Sequence, residues 1–380
     1  MAIIRLNAAR DGSVIVADRC TGGRAAAGRR RPTPPGGPGS PAERDWRTAL
    51  DAALAPLPQG ALVVLLVHGY RFTWTARRGR RPFCPQDKLY RLDPPTAPQG
   101  VWPRQAAWPA SLGFSATASD ALCLGFGWDA RRPALATLIA RRRLDFAEVH
   151  EAAAVAGRVL ADVLDHIAAR RPDLAPGFLA HSLGARVVLA AIAAAPGLHL
   201  GPAVLLGAAE HVGIAHAALA AQDAAGGSGD VLHVLSRAND PFDALFGLLA
   251  PPPGEPATDG PAPRWAGRTL GHAGLAPAGG HARWVDLQLD RASTAAYCAR
   301  HGIALTRLTE TVSHWHFFTD PGAMAAWRSV LRRASGWDLA DLRAAGLDGD
   351  IAPRWSRLSE RLARSALPRL GQPPRPIGAR

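Results

Sequence analysis

The chain has 380 residues, 48% of them hydrophobic, and carries a formal charge of +13. That length and apolar content suit one large α/β domain, or two small ones, with a sizeable core, and they exclude a small disulfide-stapled scaffold. Lys88 is the only lysine among 44 basic residues, and the chain is rich in Ala, Gly and Pro. The charge therefore reads as GC-rich codon usage.

Local arginine clusters at Arg29–Arg31, Arg77–Arg81 and Arg141–Arg143 come with no recognition helix and no aromatic-interleaved basic stripe. No nucleic-acid partner is expected. No run of 18 apolar residues occurs, so no integral membrane segment is expected. Met1-Ala2-Ile3-Ile4-Arg5 lacks the order of a secretory signal. Cys20, Cys84, Cys123 and Cys298 have no metal-ligand spacing and read as free thiols of a cytoplasmic protein.

In chain order, Met1–Asn7 and Ser13–Asp18, separated by Asp11-Gly12, predict a β-hairpin at the edge of a sheet. Residues 21–43 turn to Gly, Pro and Arg and read as a flexible loop. Asp45–Ala55 suits a short helix. Ala61–Val67 is a continuous valine- and leucine-rich run, the mark of a strand buried on both faces of a parallel sheet, and His68-Gly69-Tyr70 closes it. Residues 71–114 are rich in Arg, Pro and Trp without periodicity, long enough for a binding loop or cap.

Ala121–Phe126 is the next buried strand. Leu144–Arg171 predicts a helix with Leu160, Val163, Leu164 and Ile167 on one face, ended by Pro172. Ala203–Leu206 and Val231–Leu235 predict two further strands, and 251–263 a Pro/Gly loop. Trp284–Asp290 alternates apolar and polar, as in a half-exposed strand. A helix follows from about Gly322 to Arg333, and the tail beyond Ser365 looks disordered. The expected organisation is one domain over 1–335, with a helix and a disordered tail over 336–380. Strands alternating with helices predict a mostly parallel sheet covered on both faces, with ligands at the carboxyl ends of its strands.

Between Pro176 and Ile192 a short apolar run ends at Ala180, Ser182 follows, and helix-forming residues resume at Leu183. Ala180 and Gly184, small residues, sit two positions either side of the serine. That is the pattern of a strand, a very tight turn and a helix, presenting a hydroxyl at a helix N-terminus. A serine hydroxyl needs a base to take its proton, and histidine suits because its pKa lies near 7. A carboxylate then orients the imidazole. Ser182, Asp240 and His314 occur in that order, the last two after predicted strands or late in the chain.

This constellation resembles the α/β-hydrolase family, with Ala180 in place of the first glycine of G-x-S-x-G and the chain order Ser, Asp, His. The resemblance covers roughly Ala61 to Arg333. It implies an α/β-hydrolase fold, with the N-terminal hairpin and the insertion after the third strand as additions. It also implies cleavage of an ester or related acyl bond in a small-molecule substrate, and no metal or organic cofactor.

On this reading Ser182 is the nucleophile, His314 the base and Asp240 the acid. Asp243 is the rival acid and His316 the rival base, while Ser-His-x-x-x-x-Thr-Asp-Pro resembles the family's histidine loop with His314 in the catalytic slot. His181 is expected to pack beneath the serine turn. The oxyanion amides are Leu183 and, after His68-Gly69, Tyr70 or Arg71. Trp74, Trp102, Trp108, Trp128 and Trp315 flank these segments. Trp128 and Trp315 are expected to line an acyl pocket, or else the tryptophans cover core under a long loop. A non-catalytic binding protein on this fold, and an acyltransferase or peptidase with the same residues, are the alternatives.

Overall fold

The computed structural model describes residues 3–9, 12–16, 45–74, 84–92, 107–117, 120–130, 139–250 and 268–366. Eight strands form one sheet: β1 (Ile3–Ala8), β2 (Val14–Val16), β3 (Leu62–Val67), β4 (Ala121–Trp128), β5 (Gly177–His181), β6 (Ala203–Leu206), β7 (Val231–Leu235) and β8 (Trp284–Gln288). Their order is β2-β1-β4-β3-β5-β6-β7-β8. The β1–β2 pair is antiparallel, the predicted hairpin. Every other pairing is parallel.

The continuous apolar strands serve two cores at once. Val63, Leu65 and Val67 of β3 join one, with Phe178, Ala180, Ala203 and Leu205. Val64 and Leu66 join the other, with Leu179, Val204 and Leu206. Side chains alternate across a strand, so only a run apolar at every position can fill both faces.

The first face is covered by Trp46–Leu54, Ile139–Arg170, Gly184–Ala194 and Val212–Ala224, and the second by Ala292–Arg300, Pro321–Leu331 and Leu339–Ala344. Leu160, Val163, Leu164 and Ile167 all point into the first core, as their spacing predicts. The Ile139–Arg170 helix lies close on Gly184–Ala194: a Cβ at Gly157 would come within 2.5 Å of Ala190 Cβ and 2.6 Å of the Val187 carbonyl.

Four findings differ from the sequence expectation or extend it. β8 is buried throughout rather than half-exposed. Its polar residues are structural: Asp286 accepts from Trp284 Nε1 (2.8 Å) and from the Leu275 amide (2.7 Å), and pairs with His233 Nδ1 at 2.8 Å. The Asp348 carboxylate accepts from the Asp286 amide and covers the strand's outer edge.

Within 71–114, the described residues Leu89, Tyr90, Trp108, Leu112 and Phe114 are buried in the second core, so this part covers the sheet. Trp337, Leu339, Leu342 and Leu347, beyond the expected boundary at 335, are buried in that same core. Cys84 is disulfide-bonded, correcting the expectation of four free thiols, whereas Cys123 and Cys298 are free. Cys20, the 21–43 and 251–263 loops, Trp102 and the tail from 367 lie outside the described residues. Among the described residues, no helix is long and apolar enough to cross a membrane.

Candidate active site

Ser182 leaves β5 with a φ of +56°, a left-handed conformation that disfavours any residue with a Cβ. The strain is held by three backbone bonds. Its amide donates to Leu206 O (2.9 Å), and its carbonyl accepts from the Ala185 and Ala209 amides (3.0 and 3.2 Å). Two glycines make the turn possible by close approach. A Cβ at Gly184 would lie 2.4 Å from Val67 O, and one at Gly69 would lie 2.7 Å from both His181 O and Ser182 Cβ. Gly69 has no positive φ, so it serves proximity rather than the turn's conformation. The hydroxyl thus sits at the carboxyl end of the sheet and before the N-terminus of Gly184–Ala194, where developing negative charge is favoured.

His314, 132 positions later by residue number, is brought against this turn. The Ser313 amide donates to Ala238 O (3.0 Å), tying the histidine loop to the end of β7. His181 Nε2–H donates to His314 O (2.8 Å), and the two rings lie 4.5 Å apart. His181 therefore packs beneath the turn, as expected. The His314 ring stacks on Phe242 at 4.5 Å and 18°. Burial, with His181 and His316 nearby, pushes its pKa well below 6.5, so the ring is neutral at pH 7. No hydrogen bond joins Ser182 Oγ to His314 among the described residues.

The residue that orients His314 is Asn239, not Asp240. His314 Nδ1 lies 2.6 Å from Asn239 Oδ1, while Asn239 Nδ2 donates to Asp243 Oδ1 at 2.9 Å. With its amide hydrogens turned to Asp243, Asn239 offers His314 only an acceptor. The proton is then on Nδ1, and Nε2 keeps the lone pair. Asp240 is fully buried elsewhere: its Oδ1 accepts from Arg237 Nη1 (3.0 Å) and its Oδ2 from the Trp355 amide (2.6 Å). Its carboxylate is committed to Arg237 and to the C-terminal segment, which removes it from the histidine. His316 is buried against Phe317, and burial lowers its pKa to about 4. Neither of its ring nitrogens is the one that meets Asn239.

On the oxyanion side, the Arg71 amide donates to Ala130 O (2.9 Å), which leaves Tyr70 as the candidate from this turn. The Leu183 amide makes no backbone hydrogen bond among the described residues. His68 supports the turn from below. Its Nδ1–H donates to Gly69 O (3.0 Å) and its Nε2 accepts from the Trp128 amide (3.1 Å). Burial lowers its pKa to about 3, so it stays neutral.

Trp128 is a buttress rather than an exposed wall. It is 1% exposed, stacked on His68 at 5.6 Å, and its Nε1 donates to His68 O (2.9 Å). It also borders a cavity of about 260 Å³ with Ala8, Asp129, Glu148 and Glu151, and neither Ser182 nor His314 lines that cavity. Trp108 is fully buried beside Phe318, and Trp74 Nε1 donates to Ala8 O. Trp315 is half-buried against Phe242 and His314.

Among the described residues, one group could hold a cation. His150, Glu210 and His211 bring potential ligand atoms within 4.8 Å of one another, all buried. Glu210 is already matched: Oε2 accepts from Arg186 Nη1 (2.6 Å) and Oε1 from the His211 amide (2.7 Å). Burial alone would raise its pKa, but His150 and Arg186 outweigh burial and hold it below the usual carboxylate range. The guanidinium supplies the counter-charge an ion would bring.

Asn239 carries no local signal in the sequence. Its one mark is lying one position before the expected acid, in the turn that follows β7. Comparison of the chain with protein-family models, with curated proteins and with solved structures returns no match.

Proposed function

We propose that the protein is a serine hydrolase of α/β-hydrolase type acting on an ester or related acyl bond. The observation that carries this reading is Ser182 held at φ +56° in the β5 turn, with a neutral, oriented His314 drawn against that turn. A non-glycine residue held at positive φ costs about 1–3 kcal/mol whatever it does, and such strain concentrates at functional sites.

In this mechanism Ser182 Oγ attacks the acyl carbon while its proton passes to His314 Nε2. The Nδ1–H bond to Asn239 holds the ring in the required tautomer. The oxyanion is received by the Leu183 and Tyr70 amides. His314 returns the proton to the leaving group as the acyl–oxygen bond breaks. Water, deprotonated by His314, then hydrolyses the acyl-enzyme and restores Ser182. A carboxamide as histidine partner has precedent in Cys-His-Asn proteases.

The test is labelling of the full chain with a fluorophosphonate, wild type beside Ser182→Ala. Stoichiometric labelling that is lost in the variant supports the reading. Folded wild type that takes no label sinks it, and favours a binding protein on the same scaffold.

A further inference from the structure

His314 is oriented by a neutral amide, which supplies direction but little charge. Behind that amide stands a carboxyl group with no other evident purpose. Asp243 lies in the Asp240–Leu249 helix, 5% exposed, and its Oδ1 accepts from Asn239 Nδ2 at 2.9 Å. Its Oδ2 is buried without a hydrogen-bond partner. Gly271 packs against it: a Cβ there would fall 2.2 Å from the carboxyl group, so the backbone is pressed directly against it.

We propose that Asp243 is a positioning residue that acts through Asn239. It fixes the amide's orientation and lends its negative charge to the imidazolium that forms on His314 during turnover. This rests on the hydrolase reading above. The functional acid is thus split between two residues. Asn239 touches the base, and Asp243, one amide away, holds the charge that Asp240 was expected to supply.

The charged and titratable groups around Asp243 set when that charge is present. Asp240 opens Asp243's own helix, Arg237 lies in the turn between β7 and that helix, and Arg354 comes from the C-terminal segment. His272 lies beside Arg354, its Nδ1 3.4 Å from Arg354 Nη1. His314 lies across Asn239. Burial is the main force on Asp243 and raises its pKa to about 7, with Asp240 adding to the rise and the two arginines opposing it. His314 itself stays deprotonated well below 6.5. A fall in rate near pH 7 therefore belongs to Asp243, through loss of the charge behind the relay.

The experiment measures fluorophosphonate labelling rates from pH 5 to 9 for wild type, Asp243→Asn, Asn239→Asp and the double variant Asn239→Asp/Asp243→Asn. Wild type is expected to slow as pH falls through about 7. Asp243→Asn keeps an acceptor for Asn239 but loses the charge. Its rate should drop about 10- to 100-fold at pH 8 and its acid limb near 7 should vanish. The double variant moves the carboxylate into direct contact with His314. It should regain most of the wild-type rate, with its acid limb below about pH 5. Asn239→Asp alone sets two carboxylates side by side and should shift the limb upward.

An unchanged profile in Asp243→Asn, or a double variant as slow as Asp243→Asn, overturns the assignment. Nitrogen-15 shifts of His314 in the wild type keep the test independent of variant folding. An inflection near pH 7 in the Nδ1 signal supports the relay, and a flat response overturns it. Wild type that is not labelled at all sinks the hydrolase reading alone.

Discussion

At the scale of single residues, the site turns on which of three neighbouring side chains reaches the histidine. Asn239, Asp240 and Asp243 lie within five positions and all are buried, yet each faces a different partner. Helical geometry is the reason. Asp240 opens the Asp240–Leu249 helix and points to Arg237 and Trp355, while Asn239, at the cap position before it, points back to the histidine loop.

The two substitutions should separate cleanly. Asn239→Ala removes the acceptor that holds the Nδ1–H tautomer, and should lower the labelling rate at least about 100-fold with the fold intact. Asp240→Asn leaves buried Arg237 without its carboxylate. It should cost about 3–5 kcal/mol of stability while the rate of the remaining folded protein changes little. Thermal unfolding and labelling kinetics on both variants check this, and the reverse pattern would restore Asp240 as the acid.

At the scale of elements, the serine turn is a product of close packing. The end of β3 passes so near the turn that Gly69 and Gly184 are both required, and the Trp128–His68 stack holds the β3 turn in place. Gly69→Ala would push a methyl group 2.7 Å from the His181 carbonyl and from Ser182 Cβ. Overpacking of this kind costs about 1–3 kcal/mol, and under the proposed mechanism displacement of Ser182 by about 1 Å costs on the order of 100-fold in rate. The expected result is a folded, somewhat less stable protein that labels about 100-fold more slowly. Full labelling speed in Gly69→Ala would mean that the turn tolerates more movement than its packing implies.

The insertion and the C-terminal segment belong to this scale too. Both bury apolar side chains in the second core. The C-terminal segment also covers the edge of β8 and clamps Asp240, so it supports the site indirectly.

Across the whole molecule, buried histidines make the fold sensitive to acid. Burial lowers the pKa values of His68, His181 and His316 to about 3, 4 and 4, from 6.5 when unfolded. Between about pH 4 and 6.5 the unfolded chain binds more protons at these groups, so stability rises with pH across that window. Asp243 works the other way. Its pKa is raised from 3.8 to about 7, so the folded state holds a proton the unfolded state has lost, and stability falls as pH rises over that range. His314 and His272 are lowered as well, so the histidines outweigh the raised carboxyls of Asp165, Asp240 and Asp243 below 6.5, and Asp243, raised to about 7, is the group that carries the decline above it. The unfolding temperature should climb from pH 4 to a maximum near 6.5 and then decline slightly to about pH 7.5. A maximum near pH 5, measured by calorimetry in constant ionic strength, would contradict these assignments.

Periodicity and composition alone determined the strands and the longest helix, while the covering helices Val212–Ala224 and Ala292–Arg300 went unread. Valine- and leucine-rich runs became two-faced strands, the amphipathic stretch before Pro172 became the long helix, and small residues around Ser182 marked the tight turn. These are local properties, written within a few residues. The polar alternation of Trp284–Asp290 misled because the partners that bury Asp286 and Gln288 come from distant segments.

The partner of His314 lay beyond the sequence for the same reason. Asn239, Asp240 and Asp243 are all chemically able to meet a histidine, and only the tertiary structure sets their directions. The docking of Arg237 and Trp355 claims Asp240 and leaves the amide of Asn239, with Asp243 behind it, to face His314.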